Sequence, residues 1–107
     1  MFESRLRSIG SPFVPIEFNG RSDYGPFLAR GIPAGGLETG AEKVKTVAER
    51  SLFGGQANAP YDACYHQFCD TLENVNRAAL AINVPVAAWA TQFLGTNPAL
   101  ERYLQQN

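Results

Sequence analysis

The chain's only histidine lies inside a bracket formed by its only two cysteines, Cys64-Tyr65-His66-Gln67-Phe68-Cys69, and no other feature restricts the local fold as tightly. If the two sulfurs bond, the loop they close is too short to add much global stability, because cross-link stabilisation grows with loop length. Such a bond would instead fix the directions of Tyr65 and His66. The phenol can donate and accept hydrogen bonds, and the imidazole can be a metal ligand, a general base or a proton shuttle. Left reduced, Cys64 and Cys69 are thiols or metal ligands, the usual state in a cytosolic protein. Four residues separate them, not the two of a Cys-x-x-Cys motif, which weighs against a dithiol redox protein.

A chain of 107 residues has room for one small domain and no second one. Its net charge of −1 supplies no attraction for polyanions, so neither nucleic acid nor an anionic membrane is expected as partner. Met1 to Arg7 is amphipathic and lacks the apolar core of a signal peptide. No run approaches the ~18 apolar residues of a membrane span. Paired cysteines nevertheless suit an oxidising compartment, and the two readings agree if the chain is the tail of a longer secreted protein.

Phe2, Leu6 and Ile9 recur at helical spacing and stop at Gly10, as in the last turns of a helix. Ser11 to Phe18, broken by Pro12 and Pro15, suits an extended segment or edge strand. After the Asn19-Gly20 turn, Ser22 can cap a short helix from Asp23 to Arg30. Ile32 to Leu37 is an apolar run expected as a buried strand. Glu42 to Leu52 has helical composition, with Val44, Val47, Ala48 and Leu52 on the apolar side and Lys43, Lys45, Glu49 and Arg50 opposite. Gly54-Gly55 stops it, and a long polar loop runs from Gln56 to Asp70. Asn76 can cap a helix reaching Leu94, with Leu80, Val84, Ala87 and Phe93 as core contacts. Pro85 should kink or split that helix, at about 3 kcal/mol in a regular interior. A last helix is expected from Pro98 to Gln105. Gly35-Gly36 lacks the spacing and lysine of a phosphate loop.

Five strings in order, Phe18-Asn19-Gly20-Arg21-Ser22-Asp23-Tyr24-Gly25-Pro26-Phe27, Gly31-Ile32-Pro33-Ala34-Gly35-Gly36-Leu37, Thr39-Gly40-Ala41-Glu42, Tyr61-Asp62-Ala63-Cys64-Tyr65-His66-Gln67 and Cys69-Asp70-Thr71, closely resemble the C-terminal part of the secreted di-zinc aminopeptidases of metallopeptidase family twenty-eight. The resemblance covers nearly all of residues 1–107 but only the last third of such a catalytic domain. It implies an α/β fold: a C-terminal segment of a mixed-sheet zinc exopeptidase with flanking helices, mostly helical as an isolated chain. It implies peptide substrates, an extracytoplasmic parent protein and an upstream remainder of the catalytic domain.

Carried over residue by residue, the resemblance makes His66 a ligand of one of two zinc ions and Tyr65 the donor to the oxyanion of the tetrahedral intermediate. Imidazole is a good zinc ligand, and a phenol aimed at developing negative charge favours the transition state. Gly20 and Arg21 correspond to residues contacting substrate or product near the metals, and a guanidinium suits carboxylate recognition. Asp23 corresponds to a supporting or capping residue, and Cys64–Cys69 to a disulfide of many secreted members. Glu38 stands where many members have Phe in the pocket for the substrate's N-terminal side chain, and Pro85 interrupts a helix the family keeps whole. The family's other zinc ligands and its glutamate base fall outside the matched region, so residues 1–107 alone are expected to be inactive. The alternative is a non-catalytic binding module or truncated product that keeps the Tyr-His loop.

Overall fold

The computed structural model describes residues 1–106. Its elements run α1 (Phe2–Ser8), α2 (Gly25–Leu28), α3 (Val47–Phe53), a 3-10 turn (Leu72–Asn74), α4 (Arg77–Thr96) and α5 (Leu100–Gln106). The chain is therefore mostly helical, as the isolated segment was expected to be. Neither expected strand forms: residues 11–18 and 32–37 carry no regular secondary structure, and Ile16 and Ile32 are exposed. Strand conformation is held by hydrogen bonds to a neighbour, and these segments have none among the described residues.

Asn76 caps α4 as its sequence suggests, its Oδ1 accepting from the Ala79 N–H at 3.1 Å. Pro85 lies inside α4 without ending it, which corrects the expected split. The carbonyl that proline leaves unpaired is that of Ala81, and both residues are exposed, so water can take the missing bond. The core positions also differ. Val86 and Ala90 of α4 are buried with Leu6 of α1, while Leu80, Val84 and Ala87 face outward. Trp89, Phe93 and Tyr103 extend this seam, with ring centroids 5.4 Å and 5.2 Å apart, and Arg5 lies over Trp89. By length and composition α4 could cross a membrane, a property the run-by-run reading of its sequence misses because Asn83 and Pro85 interrupt the apolar letters.

Two helices begin later than composition suggests. Pro26 has no N–H and fits only a first turn, so α2 starts at Gly25 after Tyr24 rather than at Asp23 after Ser22. For α3 the cause is pairing. Residues 41–45 run antiparallel to residues 58–62, with a bridge between Val44 and Pro60 and N–H···O bonds from Lys45 to Ala59, Asn58 to Lys45, Tyr61 to Lys43 and Asp62 to Ala41. Thr46 then opens α3 with a capping box: its Oγ1 accepts from the Glu49 N–H at 3.1 Å, and Glu49 Oε2 accepts from the Thr46 N–H at 2.8 Å.

That ribbon reverses the expected faces of the segment. Lys45 and Glu49 are buried, whereas Val44, Val47 and Leu52 are exposed. Lys43 Nζ donates to Glu49 Oε1 at 2.7 Å; Lys45 Nζ donates to the Gly54 carbonyl at 3.0 Å and lies 4.6 Å from the Tyr61 ring centroid. The bond from Lys43, followed by those from Thr46, holds the Glu49 carboxyl down to about 2. Because its folded value is depressed, its contribution to stability is complete above the ordinary carboxylate range and fades as pH falls from about 4.5 towards 2.

The accessible surface is 8274 Å², against about 5,900 Å² for a compact monomer of this mass. The Cα radius of gyration is 15.7 Å, against about 13 Å for a compact domain of this length. Leu72, Val47, Phe27, Val84 and Leu80 all stand exposed, so much of the apolar surface that the helices carry is left uncovered.

Candidate functional site

Two short irregular segments build the site. In the first, Asn19-Gly20-Arg21, the chain reverses with Gly20 at φ +78°, a left-handed conformation that glycine adopts without strain. The Asn19 side chain accepts from the Arg21 N–H at 3.0 Å, and the Gly20 N–H donates to the Tyr24 hydroxyl at 2.9 Å. Tyr24 packs on Phe18 with ring centroids 4.4 Å apart. The turn is thus held from both sides, and the Arg21 guanidinium extends from it to Glu42, with Nη2 donating to Oε1.

In the second segment, Cys64 and Cys69 form a disulfide with Cα atoms 5.2 Å apart. This excludes both sulfurs as thiolate metal ligands and bears out the pairing that the family resemblance implies. Asp62 anchors the loop: its Oδ1 accepts from the Cys64 N–H at 2.8 Å and from Asn74 Nδ2 at 3.0 Å. The Asn74 bond, then the Cys64 N–H, keep its carboxyl below the usual range. The Gln67 N–H donates back to the Cys64 carbonyl at 2.8 Å, and His66 takes φ +54°. A non-glycine residue adopts that region uncommonly, and here it lies within the short loop closed by the Cys64–Cys69 disulfide. His66 is exposed, and its ring lies 4.1 Å from that of Tyr65, itself at the edge of exposure.

The two segments are linked electrostatically. The Arg21 guanidinium is raised above its ordinary value, chiefly by its bond to Glu42, with lesser contributions from Tyr65 and Glu38. Glu42 is lowered by its own backbone N–H, then by the bond from Arg21, with a small contribution from His66. Arg21, Glu38 and Glu42 line an open cleft of about 470 Å³ with Glu17, Asn19 and Lys43. Tyr65 and His66 are outside its lining but within electrostatic reach of the Arg21–Glu42 pair. A hollow of about 520 Å³ at the start of α5, lined by residues 97–102, contains none of these groups.

Sequence reasoning passed over two members of this constellation. Asp62 carries a legible signal, since aspartate often accepts from the backbone N–H two residues ahead. Glu42 lies in the Thr39-Gly40-Ala41-Glu42 string, but nothing in the sequence pairs it with Arg21, because only the folded ribbon brings the two together. Asp23, expected to support the site or cap α2, accepts from the Ser22 hydroxyl at 3.3 Å.

His66 presents a nitrogen ligand of the kind zinc favours. Among the described residues, however, no group of three or more His, Cys, Asp or Glu side chains could hold a metal. A single imidazole can supply one ligand of a zinc site, and the described residues alone do not complete one.

Residues 3–90 match peptidase family M28, and the chain belongs to that family. It is 54% identical over 90 residues to a probable leucine aminopeptidase 2 of Aspergillus fumigatus, a match covering 84% of this chain. Leucine aminopeptidase 2 of Arthroderma otae is 47% identical over 85% of the chain, and that of Trichophyton rubrum 47% over 84%. The chain spans about 18% of the length of each of these relatives.

Proposed function

We propose that residues 1–107 are the C-terminal third of the catalytic domain of a secreted zinc aminopeptidase that removes N-terminal residues from peptides. The observation that carries this reading is the disulfide-locked loop, which presents Tyr65 and His66 side by side in a chain of the M28 family. Uncovered apolar surface on α3 and α4, together with a match to about 18% of each relative's length, supports an upstream remainder that packs on these helices.

In this reading His66 holds one of two zinc ions, and the zinc pair, when bound, supplies Lewis acidity and an activated water. Tyr65 donates its phenolic hydrogen to the oxygen of the scissile carbonyl as negative charge develops there. Gly20 and Arg21 receive the peptide backbone, Arg21 by charge-assisted hydrogen bonds. Glu38 sits at the cleft where the substrate's N-terminal side chain would lie. Among the described residues no full ligand set is assembled, which supports the reading that this chain is inactive alone.

The test is metal removal from the complete catalytic domain. Dialysis against a zinc chelator should abolish release of N-terminal leucine from a peptide, and zinc should restore it. Full turnover without metal would overturn the reading.

Glu38 bears on selectivity. A carboxylate facing an apolar side chain in a closed pocket is costly, whereas lysine or arginine can pair with it. Replacing Glu38 by Phe should raise kcat/KM for leucine over lysine or arginine substrates by roughly tenfold, about 1.4 kcal/mol. An unchanged ratio would remove Glu38 from the pocket.

A further inference from the structure

Arg21 and Glu42 are far apart in sequence and are brought together by two separate backbone devices. The Asn19-Gly20 turn aims the guanidinium, and the 41–45/58–62 ribbon fixes the base of the carboxylate. Their side chains are 72% and 47% exposed, so water screens the ion pair and it adds little to stability. A contact so weak thermodynamically is nevertheless effective at limiting where a long side chain points. Guanidinium carries five donors in a planar fork, and Glu42 engages Nη2. The remaining donors are then held in one orientation at the cleft that Glu38 and Glu42 line beside Arg21.

We propose that Glu42 is a positioning residue for substrate binding, orienting Arg21 so that its free donors meet the backbone oxygen of the bound peptide. This rests on the reading of Arg21 as a substrate contact. Glu42 reaches the peptide only through Arg21, with no bond made or broken at Glu42 during turnover. Losing it lets the guanidinium sample other rotamers, so part of the binding energy is spent on reordering it. The effect should fall on KM, because Arg21 holds substrate and transition state alike.

The experiment is a double-mutant cycle in the complete catalytic domain, with a leucyl peptide as substrate. Glu42→Ala should raise KM by roughly five- to tenfold, with kcat changed less than about threefold, zinc content unaltered and the unfolding midpoint unmoved. Glu42→Gln keeps an acceptor for Nη2 and should recover part of the loss. In an Arg21→Ala background, which has its own raised KM, the further change Glu42→Ala should have no additional effect. An equal KM increase in both backgrounds would mean that Glu42 acts on the substrate directly, overturning the proposal. If Arg21→Ala raises KM and Glu42→Ala leaves it unchanged, the positioning role fails while the substrate-contact reading stands. If Arg21→Ala leaves KM unchanged, the substrate-contact reading fails, and the proposal with it.

Discussion

In the complete catalytic domain, Tyr65→Phe is expected to lower kcat by about 10- to 1,000-fold while zinc content stays the same, the typical cost of removing one oxyanion donor. The substitution isolates the hydroxyl. Phenylalanine keeps the ring, so the 4.1 Å contact with His66 and the disulfide loop that sets both side chains are retained. Tyr65 also lies within electrostatic reach of Arg21, a cation that favours negative charge in this region. A fall confined to kcat is therefore the signature of a bond made in the transition state. Single-turnover rates with a leucyl peptide, alongside metal analysis, measure it. Unchanged turnover would remove Tyr65 from the chemistry, and loss of zinc would assign it to the metal centre instead.

The second large effect concerns stability. Gly40 has φ +98°, and a Cβ built there would lie 2.5 Å from Tyr61 Cγ. Alanine at this position would suffer the backbone cost of a left-handed conformation, about 1–2 kcal/mol. It would also force Tyr61 aside, adding about 1–3 kcal/mol of overpacking. Tyr61 cannot move freely, because Lys45 covers its ring, Phe53 packs edge-on against it at 6.0 Å, and its N–H bonds to Lys43. Gly40→Ala should therefore destabilise the complete catalytic domain by about 2–5 kcal/mol, and should loosen the ribbon that leads into the Cys64–Cys69 loop. Denaturant unfolding gives the size. A midpoint equal to the unsubstituted protein's would show that the ribbon and Tyr61 relax at no cost.

What the letters reveal is mostly what local chemistry decides. Asn76 is legible as a cap because an asparagine before a helical stretch can satisfy the N–H of Ala79 without help from elsewhere. The Thr46-x-x-Glu49 capping box has an equally local signature, yet composition pulled the expected helix start back to Glu42. The pairing of residues 41–45 with 58–62 prevailed because it is non-local and gives their N–H and carbonyl groups partners in an antiparallel ribbon. Pro85 does not split α4 for a related reason: the cost of an interior proline depends on whether water reaches the freed carbonyl, which only the fold decides. The core residues of α4 were misplaced because helical spacing fixes which residues share a face but not which face finds a neighbour. Val86 and Ala90 are buried in the helix that packs on α1, whereas Leu80 and Val84 are more than half exposed.

At the site, Cys64, Tyr65, His66 and Cys69 were legible because they are contiguous and chemically distinctive. Their bonded geometry agrees with the family resemblance. Arg21 and Glu42 each stand in a family-like string, but their pairing is not legible, since opposite charges far apart in sequence pair in many possible ways. The expected strands at 11–18 and 32–37 are irregular and form no ladder among the described residues, which fits segments whose neighbours lie in the proposed upstream part.

The central claim is that His66 is a zinc ligand of an aminopeptidase whose other ligands lie outside this chain. Its most direct test is the zinc stoichiometry of the complete catalytic domain with His66 replaced by Ala, measured by metal analysis together with turnover of a leucyl peptide. The account predicts a fall from two zinc ions towards one, or much weaker binding of one of them, with turnover lost in parallel. Two tightly held zinc ions and undiminished turnover in His66→Ala would contradict it.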